Sequence, residues 1–274
     1  MSAADDLLAQ LQLHLAANRP RVRALHLPPH PWNGSKDAEF CAIELDSGAI
    51  GLSYVLLGDT LAQLSGPAST HGVVGADALA LAAQWRDGLG PVRALGFAAV
   101  NALSRHLLDR AGLQPPDAAD SIGGLAPRAG EHIGMVGHFP PLVKRVTACG
   151  ARLTVLELRA DLAGDRDGYT VTLEPSALLG CDKVLITSTV LLNDTLDDVL
   201  SHCRNARAIA MIGPSAGCLP DALFRRGVTA FGGSWVTDPA AFGAALRAGT
   251  PWSVHARKTV WTPANYPGLP PPAP

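Results

Sequence analysis

His138 is the side chain whose setting most suggests chemistry. It follows an apolar run at 133–136 and the pair Gly134 and Gly137, and Phe139-Pro140-Pro141 come after it. An apolar strand, a glycine turn and a helix opened by proline make the corner at which open parallel sheets hold ligands, because free helix N–H groups face the crevice there. An imidazole in that place can ligate a metal or act as acid or base, or it can simply pack in its loop. Glu157 lies 20 residues beyond Gly137, the offset at which nucleotide-binding units keep an acid for a ribose hydroxyl. Against a dinucleotide, the turn carries only two glycines, with bulky His138 and Phe139 where a pyrophosphate needs open backbone. The plainer role for Glu157 is to cap a loop or to pair with Arg159 or Lys144.

Further candidates sit after the later strands. Thr187, Ser188, Asn193, Asp194 and Thr195 bring hydroxyls and amides that suit an anion or polar small molecule, although Asn193 or Asp194 can equally cap the helix that follows. Gly213-Pro214-Ser215 and Gly232-Gly233-Ser234 complete the expected rim. Cys218 precedes Leu219-Pro220 at the expected start of a helix, where the macrodipole favours a thiolate. With His138 and Glu157 it makes a candidate metal set of the zinc, nickel or copper class. His202-Cys203 is read as packing, since adjacent helical residues diverge by about 100°. The chain carries no nucleophile elbow, P-loop or H-E-x-x-H motif.

These residues need elements to hold them. Leucines 7, 8, 11 and 15 have helical spacing, and apolar runs at 40–45 and 50–57 flank Asp46-Ser47-Gly48 as a hairpin. Helices follow at 77–85 and 92–111, with Gly112 as the stop. This is a small α+β unit, 1–112. Residues 113–130 are rich in Pro and Gly and read as a linker. Over 131–262, strands at 133–136, 153–158, 183–187, 208–212 and 228–231 alternate with helices at 140–148, 195–202, 219–226 and 239–248. Such alternation requires crossovers and gives an α/β, Rossmann-like domain on a parallel sheet. Residues 263–274 hold six prolines and read as a flexible tail or an extended arm.

Composition removes several classes of partner. The chain has 274 residues, 47% hydrophobic and 17% charged, with a net charge of −2, so no basic field draws in nucleic acid. No stretch reaches the roughly 18 apolar residues that span a bilayer, and the start lacks the pattern of a signal peptide. The expected location is the cytoplasm. Five scattered cysteines without a C-x-x-C pair fit reduced thiols.

Taken together, residues 134–143, 155–158, 182–187, 193–196, 212–215 and 223–228, with 96–103 before them, resemble the heavy-metal chelation domain family of bacterial and archaeal proteins. The resemblance implies a Rossmann-like domain preceded by a domain of the enolase N-terminal-like fold. It also implies Asn-Gly-Thr where this chain has Asn193-Asp194-Thr195, an added negative charge that favours a cationic guest. The expected function is binding or handling of a metal ion or metal chelate between the two domains, in a homo-oligomer. The alternatives are an enzyme that acts on a small organic substrate with an adenosine-type cofactor, S-adenosylmethionine or a nucleotide, and a dimeric scaffold.

Overall fold

The computed structural model describes residues 2–16 and 19–271. Ser2 caps the first helix, α1 (Ala3–Leu15), through a capping box with Asp5, and Leu7, Leu8, Leu11 and Leu15 form its buried stripe. An antiparallel sheet of β1 (Val22–His26), β2 (Phe40–Leu45) and β3 (Ile50–Tyr54) follows. Then come α2 (Thr60–Leu64), α3 (Pro67–Thr70), α4 (Ala78–Asp87) and α5 (Gly90–Arg110). All six residues of β2 are buried, so this sheet is covered on both faces. Cys41, Ile43 and Leu45 face the helices, while Phe40, Ala42, Ile50 and Leu52 pack with Phe242, Leu246 and Trp252. β3 lies directly on α5: a Cβ at Gly51 would stand 2.1 Å from the Ala102 nitrogen, so only glycine permits the approach.

The second half alternates. In chain order it contains β4 (His132–Val136), α6 (Pro140–Thr147), β5 (Arg152–Leu156), β6 (Gly164–Arg166), β7 (Tyr169–Thr172) and β8 (Lys183–Thr187). It continues with α7 (Leu196–His202), β9 (Ala208–Ile212), α8 (Asp221–Phe224), β10 (Ala230–Val236), α9 (Pro239–Ala248) and β11 (Ala256–Trp261). The eight strands run in the order β11-β10-β9-β8-β4-β5-β7-β6. The inner neighbours are parallel, and β6 and β11 join the edges antiparallel. From β4 the chain moves to β5 on one side and later returns to β8 on the other. The seam between β4 and β8 is therefore the topological switch point, where loops leave in opposite directions and open a crevice.

Three stretches differ from their sequence reading. Residues 113–130 are packed rather than loose: Ile122 and Leu125 are buried against the sheet face that also carries Ile133, Met135, Leu153 and Val155. Backbone bonds from Ala118 N to Lys258 O (2.9 Å) and from Val260 N to Pro116 O (3.0 Å) fix that segment to β11. The tail is docked: the Tyr266 hydroxyl donates to Asp221 Oδ2 at 2.7 Å, its ring meets Phe224 and Trp261, and Leu269 packs against the core; residues 272–274 lie outside the described residues. Gly232 to Ser234, expected as a rim loop, continue β10 because β11 pairs across them.

One continuous core runs from Leu7 and Trp85 through Phe97 to Ile186, Met211 and Trp261, so both halves share it. No helix among the described residues is long and apolar enough to cross a membrane.

Candidate functional site

The strand-end rim is built from close backbone contacts. Gly137 has φ +91°, and a Cβ there would stand 3.3 Å from Thr187 Cγ2, which puts the loop after β4 against the loop after β8. Its amide donates to Leu156 O at 2.9 Å. A Cβ at Gly213, φ +153°, would stand 2.1 Å from Ser188 Oγ, and the Ser188 and Ser215 hydroxyls are 3.0 Å apart. Gly137, Thr187, Ser188, Gly213 and Ser215 thus form one continuous rim over β4, β8 and β9. Thr187 also orders its own loop, accepting from Thr189 N at 3.3 Å and donating to Thr189 Oγ1 at 3.1 Å.

His138 is half-buried at the end of β4. Its Nε2 lies 3.2 Å from the Tyr169 hydroxyl, and the two rings stack with centroids 6.0 Å apart. Nδ1 has no hydrogen-bond partner among the described residues. Tyr169, on a strand that the sequence reading missed, therefore orients the imidazole. Next to it, the start of α6 agrees with the expectation that this turn does not suit a pyrophosphate. Phe139 is its N-cap and packs on the core; Pro140 and Pro141 have no N–H, and the amides of Leu142 and Val143 both donate to Phe139 O, at 2.8 and 2.9 Å. The free N–H groups that would hold a phosphate are absent or already bonded.

Glu157 directly follows β5, with its amide on Thr172 O at 3.0 Å and its own Oε1 accepting from Leu158 N at 3.2 Å. Its charge acts on Tyr54 of the small sheet: burial first, then the carboxylates of Glu39 and Glu157, push that phenol up. Arg159, a sequence-based partner for Glu157, is held by Asp161 at 2.6 Å.

Two expected groups do not join the rim. Asn193 Oδ1 accepts from Thr195 N (3.3 Å) and Thr195 Oγ1 (2.6 Å), while Asp194 ion-pairs with Arg93 of α5. Trp85 Nε1 donates to Leu191 O at 2.7 Å, so this loop is clasped to α4 and α5. Neither Asn193 nor Asp194 caps α7, whose N-cap is Thr195. A cavity of about 310 Å³ opens between the loop, the start of α1 and the end of α4, lined by Trp85, Arg86, Asp194 and Asp197. Its charges are paired: Asp197 with Arg226 at 3.2 Å and Arg86 with Asp87 at 2.8 Å.

Cys218 is only 1% exposed, and burial pushes its thiol up to about 12. This is opposite to the expected shift, because α8 has four residues and begins three positions later, while the core encloses the sulfur. Among the described residues no group of three or more His, Cys, Asp or Glu could hold a metal ion, and His138, Glu157 and Cys218 are accordingly not one set. The sequence reading also missed Asn101, which links the rim to the first half through Nδ2 bonds to Ser215 O (2.9 Å) and Leu52 O (2.7 Å). Its signal was a lone amide inside the run Phe97-Ala98-Ala99-Val100-Asn101-Ala102-Leu103.

Comparison with known proteins agrees with this architecture. The model of the DUF364 family, described as "Putative heavy-metal chelation", matches residues 122–262. An uncharacterised protein of Methanocaldococcus jannaschii is 31% identical over 150 residues, which is 53% of this chain and 55% of that protein, so the chain spans about half the length of this curated relative. Two crystal structures of DUF364 proteins of unknown function share the fold. The one from Desulfitobacterium hafniense has TM-score 0.71 at 19% identity, covering 95% of this chain and 98% of its own. The one from Pyrococcus horikoshii has TM-score 0.72 at 21% identity, covering 95% and 100%. With more than half of its length matched by the family model, this chain belongs to the DUF364 family.

Proposed function

We propose that the chain is a small-ligand-binding protein that takes a metal chelate at the rim between β4 and β8, with His138 as the protein's donor to the metal. The observation that carries this reading is the half-exposed imidazole at the switch point, with Nδ1 free and Nε2 oriented by Tyr169. Histidine ligands commonly use one ring nitrogen for the metal and the other for such an orienting bond. One imidazole fills one position of the four to six or so that a transition metal uses, so the remaining donors come with the guest. Zinc, nickel and copper suit an imidazole donor. Thr187 and Thr189 supply hydroxyls for the organic part, and Gly137 and Gly213 keep the floor open to it. The family's description points in the same direction.

Glu157 favours a second reading, an enzyme with an adenosine-type cofactor, because it stands at the end of the strand next to β4, where a ribose-binding acid belongs. The prolines at the start of α6 weigh against phosphates, so S-adenosylmethionine fits this reading better than a nucleotide.

Titration calorimetry of tag-free protein with nickel nitrilotriacetate tests the first reading. Wild type is expected to bind one equivalent, His138→Ala to bind at least tenfold more weakly, and Tyr169→Phe to fall between them. Equal binding by wild type and His138→Ala refutes it. A thermal shift with S-adenosylmethionine that disappears in Glu157→Ala would put the enzyme reading in its place.

A further inference from the structure

Asn101 sits mid-way along α5 among alanine, valine and leucine, and it is 2% exposed. Both of its amide hydrogens have acceptors, Leu52 O on β3 at 2.7 Å and Ser215 O after β9 at 2.9 Å. Two carbonyl acceptors fix the orientation of the amide, so Oδ1 is the atom left over. It is buried and has no protein partner. Beside it lies a cavity of about 20 Å³, lined by Leu52, Asn101, Arg105, Pro214, Gly217 and Ser234. A water needs roughly 10–15 Å³ of such space, whereas an organic guest needs about 300 Å³.

The one charged group of the lining is already engaged. Arg105 is held by Asp109 at 2.9 and 2.8 Å and lies 3.7 Å over the Trp235 ring. The guanidinium is thus already neutralised by its carboxylate, and Oδ1 requires a donor small enough for this space. We propose that this cavity binds one water molecule that donates to Asn101 Oδ1, with the Ser234 hydroxyl as its second partner. The site forms a hydrated joint: α5, β3 and the loop after β9 meet at a single amide whose third hydrogen bond the water supplies. It does not depend on what occupies the rim.

Gly217 gives the test. A Cβ there would stand 3.5 Å from Asn101 Cβ and Cγ and 3.7 Å from Oδ1, an ordinary contact, and its backbone is not left-handed. Gly217→Ala therefore places a methyl beside the amide oxygen without a clash. With water bound, the methyl displaces it and strands the acceptor, and thermal unfolding falls by about 3 °C or more. Gly217→Ser offers a hydroxyl in place of the water and is expected to recover most of that loss. If the cavity were dry, the methyl would fill it and stiffen the unfolded chain, and the unfolding temperature would rise. Alanine at or above wild type, or serine falling as far as alanine, overturns the proposal. A high-resolution crystal structure of the wild-type protein is expected to show a water about 3 Å from Oδ1; a cavity without density there overturns it independently of either variant.

Discussion

Asp194 holds a left-handed backbone, φ 59°, while its carboxylate pairs with the guanidinium of Arg93. Arg93 is 8% exposed and also donates to Gly88 O (2.7 Å), Arg86 O (3.2 Å) and Leu192 O (3.4 Å), so one side chain ties the turn between α4 and α5 to the loop after β8. Glycine is the residue that adopts such a conformation freely. For a residue with a Cβ it costs roughly 1–2 kcal/mol, and a pair whose carboxylate is 71% exposed returns at most about 1 kcal/mol.

Two substitutions separate these terms. Asp194→Ala loses the pair and keeps the strain, so it is expected to destabilise by about 1 kcal/mol in urea unfolding. Asp194→Gly loses the pair but relieves the backbone and should stay within about 0.5 kcal/mol of wild type. Equal loss in both variants would show that the pair alone matters.

His26 predicts a pH dependence. It is 5% exposed, with Nε2 3.0 Å from Glu44 Oε2 and Nδ1 against Arg247 of α9. Arginine only donates, so Nδ1 accepts, Nε2 carries the hydrogen and the ring is neutral. Burial lowers its pKa from 6.5; Glu44 opposes that, and Arg247 and Arg23 reinforce it. A folded value below the unfolded one means that the unfolded chain binds the extra proton. Stability from this group is complete above 6.5 and is lost as pH falls through the folded value. The expected slope is at most about 1.4 kcal/mol per pH unit for this proton. Urea unfolding measured in steps from neutral to mildly acid pH should show a shallower loss for His26→Gln than for wild type. His106 and His132 shift in the same direction and leave a residual slope. An unchanged slope in His26→Gln removes the group from the account.

Thiol chemistry discriminates among the five cysteines. Cys41, Cys181, Cys203 and Cys218 are buried, and burial raises their thiols to about 12, 11, 12 and 12; Cys149 is half-buried. Thiolate is the reactive form, so an aromatic disulfide reagent is expected to label only Cys149 in native protein, and Cys149→Ser to abolish that signal. Rapid native labelling of Cys218 would restore it as a candidate metal ligand.

What could be read in advance follows from how local each signal is. The apolar runs at 133–136, 183–187 and 208–212 became β4, β8 and β9, and α9 spans the expected 239–248, because capping at Asp238 and Gly249 is written in neighbouring residues. β11 escaped notice because Arg257 and Lys258 interrupt an edge strand, and residues 113–130 read as a linker because their prolines mask the buried Ile122 and Leu125. At the rim, the glycine turn announced where His138 would stand, but not Tyr169 beside it, which arrives from a strand that starts 31 positions later. The polar run Asn193 to Thr195 looked available for a ligand. Its groups bond one another and Arg93 instead, a choice decided by an α5 side chain about a hundred residues away.

The direct test of the chelate reading is anomalous diffraction at the nickel edge from crystals grown with nickel nitrilotriacetate. The expected result is a single strong peak about 2.1 Å from His138 Nδ1, with Nε2 still bonded to Tyr169. A peak at other histidines only, or none at the rim in crystals of a protein that binds the chelate in solution, contradicts it.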